Sequence, residues 1–150
     1  MTELIKKLRE QTGAGVMDVK KALEEARGDE ENALKILQSR GLEIVGKKSD
    51  RATSKGRVEY YIHGEPPTIG ALVELLSETD FVAKNDEFGK LAKEIAMQVA
   101  SMNPESVDEL LKQEYIREAG KTVHDLLNEA IHKFGENIKI NRFIRYKLGE

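Results

Sequence analysis

Two apolar patterns of different period lie side by side in the middle of the chain and restrict its fold more than any other feature. Apolar and polar side chains alternate through residues 58–63, as in a strand with one buried face. Residues 69–76 are almost continuously apolar, as in a central strand that is covered on both faces or packed firmly under helices. The Gly64–Pro67 segment between them is typical of a turn. The two runs therefore predict an antiparallel β-hairpin.

Helical patterns follow the hairpin. Asn85 is a favourable N-cap, and apolar side chains then recur at helical spacing as far as Met102, where an Asn-Pro pair ends the run. Ser106 and Thr122 are expected to cap two further helices. The sequence thus predicts one long and two shorter helices after the hairpin.

The last pattern in the chain is that of a third strand. We expect its apolar side chains on one side, with Arg142 as an exception and Phe143 facing the other way; they are Ile138, Ile140, Ile144, Tyr146 and Leu148. The economical architecture is an α+β fold, a small antiparallel sheet of about three strands with helices on one face. Because so small a sheet leaves a face or an edge uncovered, we expect a homodimer.

Residues 1–41 predict three short helices separated by glycines. Gly13 and Gly15 interrupt the first apolar pattern, and Gly28 is expected to adopt a left-handed helix cap. Asp29 is placed to cap the third helix, which we expect to stop at Gly41. A three-helix module of this size lies near the lower limit of independent stability.

Residues 42–57 combine several Lys and Arg side chains with small residues and little apolar periodicity, and so predict a linker. This basic stretch is either a solvated connector or a contact strip for an acidic partner. The predicted organisation is a three-helix module at 1–41, a linker at 42–57 and an α+β core at 58–150.

The residue types present argue against catalysis. The chain has no cysteine, which excludes disulfides, thiolate metal sites and thiol nucleophiles. His63 is on a predicted strand, and His124 and His132 lack the partners of a metal site. No phosphate-binding loop of the GxxxxGK[ST] kind occurs. We therefore expect a protein that is not an enzyme and needs no metal or cofactor.

Charge and hydropathy restrict the partners. The net charge of −3 does not favour strong binding to nucleic acid. No apolar stretch approaches the length of a membrane span, and the first residues are too charged for a secretory signal. These features predict a cytoplasmic protein without direct nucleic-acid or membrane contacts.

Residues 78–86 predict a polar loop between the second strand and the long helix, with Phe81 in its middle. Phe81 either folds back as a lid on the core or projects as an aromatic anchor for a partner. Sequence physics alone leaves both possibilities open.

Three stretches carry a resemblance to a known family: TGAGVMDVKKALEEARGDEENALKILQSRG at 12–41, ETDFVAKNDEF at 78–88 and GENIKINRFIRYKLG at 135–149. Together they closely resemble bacterial elongation factor Ts, the guanine nucleotide exchange factor of elongation factor Tu. The resemblance runs over most of the chain in the family's order. It implies a ubiquitin-associated-like module at 1–41, and a core that includes one subdomain of the family.

The resemblance also implies a mechanism. In the family the TDFV segment, here Thr79, Asp80, Phe81 and Val82, enters the GTPase domain of elongation factor Tu and dislodges the magnesium ion that ties GDP to the protein. The N-terminal module docks on the same domain, which makes Val16, Met17 and Lys20 second candidates for contact. Core packing of Val16 and solvation of Lys20 are the alternatives.

The chain departs from the family between Pro104 and Gln113, where several dozen residues that family members usually carry are missing. These include a helical stretch that reaches a second part of elongation factor Tu. The chain also has one core subdomain, whereas longer members have two copies of it. Two copies of this chain would together supply both subdomains. This departure strengthens the prediction of a homodimer.

Two other classes of function compete with nucleotide exchange. One is a non-catalytic adaptor that binds a peptide or a ubiquitin-like partner through the three-helix module. The other is a weak RNA-binding module that uses residues 47–57, and it would lose affinity steeply with salt.

Overall fold

The computed structural model describes residues 2–150, apart from the side chains of residues 42–45 and 47. Contacts divide the chain into two units. One comprises residues through Asp50 together with Asn128–Glu136, and the other comprises Arg51–Leu127 together with Asn137–Glu150.

The first unit contains helices α1 (Thr2–Thr12), α2 (Val16–Glu25) and α3 (Glu30–Lys48). The predicted helix boundaries between them are confirmed. Gly13 and Gly28 have φ angles of 71° and 83° in the left-handed region, where side chains are disfavoured. The Asp29 side chain accepts a hydrogen bond from the Asn32 amide at 2.8 Å. Buried residues of its N-terminal part form one apolar core: Leu8, Ala14, Val19, Ala22, Leu23, Ala33 and Leu37.

The predicted stop of the third helix at Gly41 is wrong, because α3 continues through Gly41 and Gly46 to Lys48. Neither glycine has a positive φ. Glycine lowers helix stability by about 1 kcal/mol relative to alanine, but it ends a helix only where the backbone turns left-handed. The predicted linker at 42–57 therefore begins inside α3 and ends inside the next strand, and residues 49–54 join the two elements.

The second unit is built on strands β1 (Lys55–His63), β2 (Ile69–Ser77) and β3 (Lys139–Lys147). They form an antiparallel sheet in the order β1-β2-β3, so the predicted hairpin is confirmed. This unit also contains α4 (Asp80–Ala83), α5 (Asp86–Met102) and α6 (Val107–Lys112), whereas α7 (Val123–Phe134) begins in it and belongs to the first unit from Asn128 onward. Helix α5 packs against β1 and β2, and this confirms an α+β fold with helices on one face of the sheet.

All three predicted helix caps of the second unit are confirmed. The side chains of Asn85, Ser106 and Thr122 accept hydrogen bonds from backbone amides two or three residues later, at 2.8, 3.1 and 3.1 Å. The Met102 side chain, which the apolar pattern includes, is 47% exposed at the end of α5.

The sheet face turned away from α5, which we call the outer face, carries exposed apolar side chains and, in the row of Val58, the Glu74–Arg142 ion pair. Its register rows place Tyr60 beside Leu72 and Ile144, and Ile62 beside Gly70 and Tyr146. The expectation that the apolar side of β1 is buried is wrong, since Val58, Tyr60 and Ile62 are exposed while Glu59 is buried. The exposed apolar side chains of the outer face are Val58, Tyr60, Ile62, Leu72, Ile144 and Tyr146.

The expectation that the apolar residues of β3 share one side is also wrong. A β-bulge shifts the register, so that Glu74 pairs with Arg142 whereas Leu75 pairs with Ile140. One extra residue in a strand reverses the side on which all later residues lie. Ile138 and Ile140 are therefore buried, while Ile144, Tyr146 and Leu148 are exposed.

Candidate partner-binding site

The segment between β2 and α5 folds as a single helical turn, α4, rather than as the predicted loop. Thr79 caps this turn, because its side-chain oxygen accepts a hydrogen bond from the Val82 amide at 3.3 Å. The Ala83 amide donates to the Thr79 carbonyl at 3.2 Å, and the Lys84 amide donates to the Asp80 carbonyl at 3.0 Å. The four residues predicted as the first-rank contact site, Thr79 to Val82, therefore lie together on one capped turn.

Phe81 projects from α4 with 83% of its surface exposed. The two residues that follow it, Val82 and Ala83, are 5% and 6% exposed. The interpretation of Phe81 as a lid on its own core is therefore wrong. The turn is fixed to the core through its second half and presents an aromatic ring with its first half.

Side chains from neighbouring elements hold both ends of the turn. The Ser77 hydroxyl donates to the Thr79 carbonyl at 3.0 Å. The Arg57 guanidinium, on β1, donates to the Ala83 carbonyl at 3.1 Å. Directly before the turn, the Glu78 carboxylate accepts a hydrogen bond from the backbone amide of Asn137 at 2.7 Å. These bonds reduce the freedom that the turn would otherwise lose on binding a partner.

The charges next to Phe81 are exposed. Asp80 lies 4.0 Å from the Lys55 ammonium, and their side chains are 65% and 50% exposed. An exposed ion pair of this length contributes little to stability. The Asp80 carboxylate therefore stays solvated next to Phe81 in the chain, where a partner can reach it.

No metal site or membrane span is found among the described residues. Within them, no group of three or more His, Asp or Glu side chains is arranged to hold a metal ion. None of the helices in that part of the chain is both long and apolar enough to cross a membrane.

The second-rank candidates lie at the start of α2, in the first unit. Val16, Met17 and Lys20 are all exposed, and Met17 is the most exposed of the apolar pair at 63%. Core packing of Val16 is therefore partial, since 39% of that residue is exposed. A groove of about 730 Å³ runs beside Val16 and Lys20, and four cations line it: Lys6, Arg9, Lys20 and Lys133.

Two features of the second unit were not predicted from the sequence. The predicted linker includes Arg57, although Arg57 belongs to β1 and contacts the Phe81 turn. The exposed apolar outer face is the second such feature. The alternation in residues 58–63 signals two unlike faces but does not say which of them a helix covers.

The comparisons with known proteins agree on one family. The family model described as elongation factor TS matches residues 78–150. The chain is 42% identical to elongation factor Ts of Carboxydothermus hydrogenoformans, over 99% of this chain and 89% of the relative. It is 42% identical to elongation factor Ts of Thermoanaerobacter pseudethanolicus, over 99% and 94%. It is 40% identical to elongation factor Ts of Oleidesulfovibrio alaskensis, over 97% and 96%.

The length of these alignments reveals a gap. The alignment with the Carboxydothermus protein covers 194 positions, whereas this chain has 150 residues, so at least 44 positions have no counterpart here. Their number agrees with the several dozen residues that we expect to be missing after Pro104.

Proposed function

The chain belongs to the elongation factor Ts family, and from this premise we infer that it is a guanine nucleotide exchange factor for elongation factor Tu in translation elongation. The observation that carries the inference is the exposed Phe81 ring on a capped and anchored turn within the ETDFVA sequence. A factor of this kind acts in the cytoplasm. It does not transform a substrate, because it changes only how tightly its partner holds GDP.

In the proposed mechanism, Thr79, Asp80, Phe81 and Val82 form the segment that enters the GTPase domain. The Phe81 ring is the wedge that displaces the magnesium ion bound with GDP. Val82 belongs to this segment but its side chain is buried in its own protein, so it anchors the turn and does not itself contact the GTPase domain. A rigid aromatic side chain suits this task because it offers a large contact area and loses little conformational entropy on binding.

Thermodynamic linkage sets what this wedge must supply. A factor that weakens GDP on elongation factor Tu is itself bound more weakly, by the same factor, when GDP is present. To change the ratio of two conformational states by a factor of about 10⁴, a ligand must bind the open state more tightly than the closed state by roughly 5.5 kcal/mol. Contacts of the Phe81 ring alone would not reach this, so further contact surface is needed.

We propose that Val16, Met17 and Lys20 supply part of that surface. All three are exposed near the start of α2, where they offer two apolar side chains and one ammonium group. The missing stretch after Pro104 removes a contact that longer relatives have, so the N-terminal module carries a larger share of the binding in this chain.

We also propose that the chain is a homodimer that associates through the outer face of residues 58–150. Six apolar side chains are exposed on this face, in adjacent register rows. An exposed patch of this kind is typical of an association surface. A second copy is the partner we assign, because each copy offers the same apolar face and a two-fold axis then covers both.

The function is tested by loading elongation factor Tu with a fluorescent GDP and adding the purified chain with excess unlabelled GDP. We expect the release rate to rise with the concentration of the chain and then to saturate. Release that stays at its spontaneous rate at all concentrations would exclude the proposed function.

A further inference from the structure

Arg57 reaches from β1 to the Phe81 turn across a gap that Gly89 leaves open in α5. Its Nη1 donates to the Ala83 carbonyl at 3.1 Å, and its Nη2 lies 3.4 Å from the Glu59 carboxylate. A Cβ atom at Gly89 would lie 2.9 Å from both the Cζ and the Nη1 of Arg57. This is closer than a Cβ atom normally approaches another heavy atom, so a side chain at Gly89 would require the end of Arg57 to shift from this position.

The choice of glycine at this position requires an explanation. Gly89 lies inside α5, is buried, and has no positive φ that would call for glycine. In a helix interior glycine is less favourable than alanine by about 1 kcal/mol. The neighbouring guanidinium explains it, since it occupies the volume that a methyl group would take.

The atom that Arg57 contacts belongs to the end of the turn. The Ala83 carbonyl closes α4, two residues after Phe81. The last carbonyls of a helix lack partners within it, and a cation is favourable beside them. The Arg57 guanidinium supplies both the hydrogen bond and the charge at this point.

The buried Glu59 holds Arg57 in this direction. Glu59 is 9% exposed and lies within 4 Å of two cations, Arg57 and Lys93. Its Oε2 atom makes no hydrogen bond. The planar guanidinium addresses the Ala83 carbonyl and the Glu59 carboxylate through different nitrogens held in a rigid fork, a geometry that the single nitrogen of an ammonium group lacks.

We propose that Arg57 is a positioning residue that holds the Phe81 turn in one geometry, and that Gly89 is required because it leaves room for the guanidinium. The proposal extends the exchange function and depends on it for its consequence in the partner. Arg57 does not itself contact the partner in this account. It acts through the Ala83 carbonyl on the direction of the Phe81 ring.

Two variants separate positioning from charge compensation. Arg57→Lys keeps a cation near Glu59 but gives up the second nitrogen, and Gly89→Ala keeps Arg57 but displaces its guanidinium. Both should loosen the turn. Gly46→Ala is the matched control for the glycine change, because a Cβ atom at Gly46 meets nothing within 4 Å.

The first readout is amide hydrogen exchange in the free chain. The amides of Ala83, Lys84 and Asn85 donate within the turn, to the carbonyls of Thr79, Asp80 and Val82. In Arg57→Lys and in Gly89→Ala we expect these amides to exchange at least tenfold faster, with amides in the middle of α5 unchanged. The double variant should show no further increase, because both changes remove the same contact.

The second readout is stimulated GDP release from elongation factor Tu. We expect a maximal rate at least fivefold lower in both variants, with the half-saturating concentration within twofold of wild type and with Gly46→Ala unaffected. A loss that appears only in the half-saturating concentration would contradict positioning. Unchanged amide exchange in both variants would overturn the role of Arg57, whatever the activity. A wild-type chain that releases no GDP would instead exclude the exchange function, and the amide data would still decide the role of Arg57.

Discussion

Phe81 and Val82 are neighbours in the chain with opposite surroundings, since Phe81 is 83% exposed and Val82 is 5% exposed. A single capped helical turn produces this contrast, because successive side chains on a helix point about 100° apart. Val82 fixes the turn to the core while Phe81 is left free to meet another molecule. The proposed exchange mechanism depends on this division of roles.

Stability should therefore respond differently to truncation at the two positions. We expect Phe81→Ala to change the free energy of unfolding by less than about 0.5 kcal/mol, because an exposed ring loses few contacts within its own chain. We expect Val82→Ala to lower it by about 2 kcal/mol, from two buried methyl groups and the cavity they leave. Urea denaturation followed by circular dichroism measures both. Equal losses would show that the Phe81 ring packs on its own core in solution.

Association through the outer face should be sensitive to one charge at its centre. Leu72 lies between Tyr60 and Ile144 on the central strand. We expect wild type to sediment as a dimer and Leu72→Glu to sediment as a folded monomer, because a carboxylate buried without a partner is strongly unfavourable. Ile116→Glu is the control, since Ile116 is comparably exposed at 43% outside the sheet. Sedimentation equilibrium at several protein concentrations measures the mass of each variant in solution. A monomeric wild type would contradict the proposed dimer.

Contacts of the N-terminal module should contribute to the affinity for elongation factor Tu in its nucleotide-free state. Met17 is 63% exposed on α2, and we expect Met17→Ala to weaken the complex with elongation factor Tu by about fivefold, or roughly 1 kcal/mol. The maximal rate of GDP release should fall by no more than the same factor. Met102→Ala, at a 47% exposed methionine of the other unit, serves as the control. Isothermal titration calorimetry measures the affinity. An affinity of Met17→Ala equal to that of wild type would show that Met17 is not part of the interface.

Tyr115 should make stability depend on pH in the alkaline range. Burial, followed by the hydrogen bond that its hydroxyl donates to Glu94 at 2.7 Å, raises the pKa of Tyr115 well above its ordinary value of 10. The folded state therefore keeps a proton that the unfolded state releases, and this contribution is present below about pH 10 and is lost as the pH rises further.

Denaturation as a function of pH measures this contribution. Stability should fall less steeply above pH 10 in Tyr115→Phe than in wild type. Identical slopes in wild type and Tyr115→Phe would contradict a buried and bonded hydroxyl.

Local signals in the sequence were sufficient for most of the fold. The caps at Asp29, Asn85 and Thr122 follow from side chains that bond backbone amides a few residues away, and such bonds need no tertiary information. Gly41 shows where this approach fails. A glycine is compatible with both a helix interior and a helix end, and the packing of the rest of the molecule decides between them.

The faces of the sheet could not be assigned from the sequence for a different reason. Hydropathy places Glu59 outside and Tyr60 inside, yet the structure has the reverse. Cations from β1 and α5 compensate the buried Glu59, and the partner that we propose for the outer face is a second copy of the chain. The β-bulge in β3 is likewise a property of pairing, so alternation within one strand does not reveal it.

The direction of Phe81 was also undetermined, because the same sequence permits a ring that folds inward or outward. It is set by Val82 and Ala83 in the core and by the bonds of Thr79 and Arg57 to the turn. The residues of the site were thus identified by resemblance, whereas their geometry required the structure.

The central claim is tested most directly by the maximal rate at which the chain releases fluorescent GDP from elongation factor Tu, measured by stopped flow at saturating concentrations of wild type and of Phe81→Ala. Loss of an aromatic anchor worth about 2 kcal/mol predicts a maximal rate about 30-fold lower for Phe81→Ala, with Met102→Ala equal to wild type. A Phe81→Ala variant that is folded, binds elongation factor Tu and releases GDP as fast as wild type would contradict the claim that this ring drives exchange.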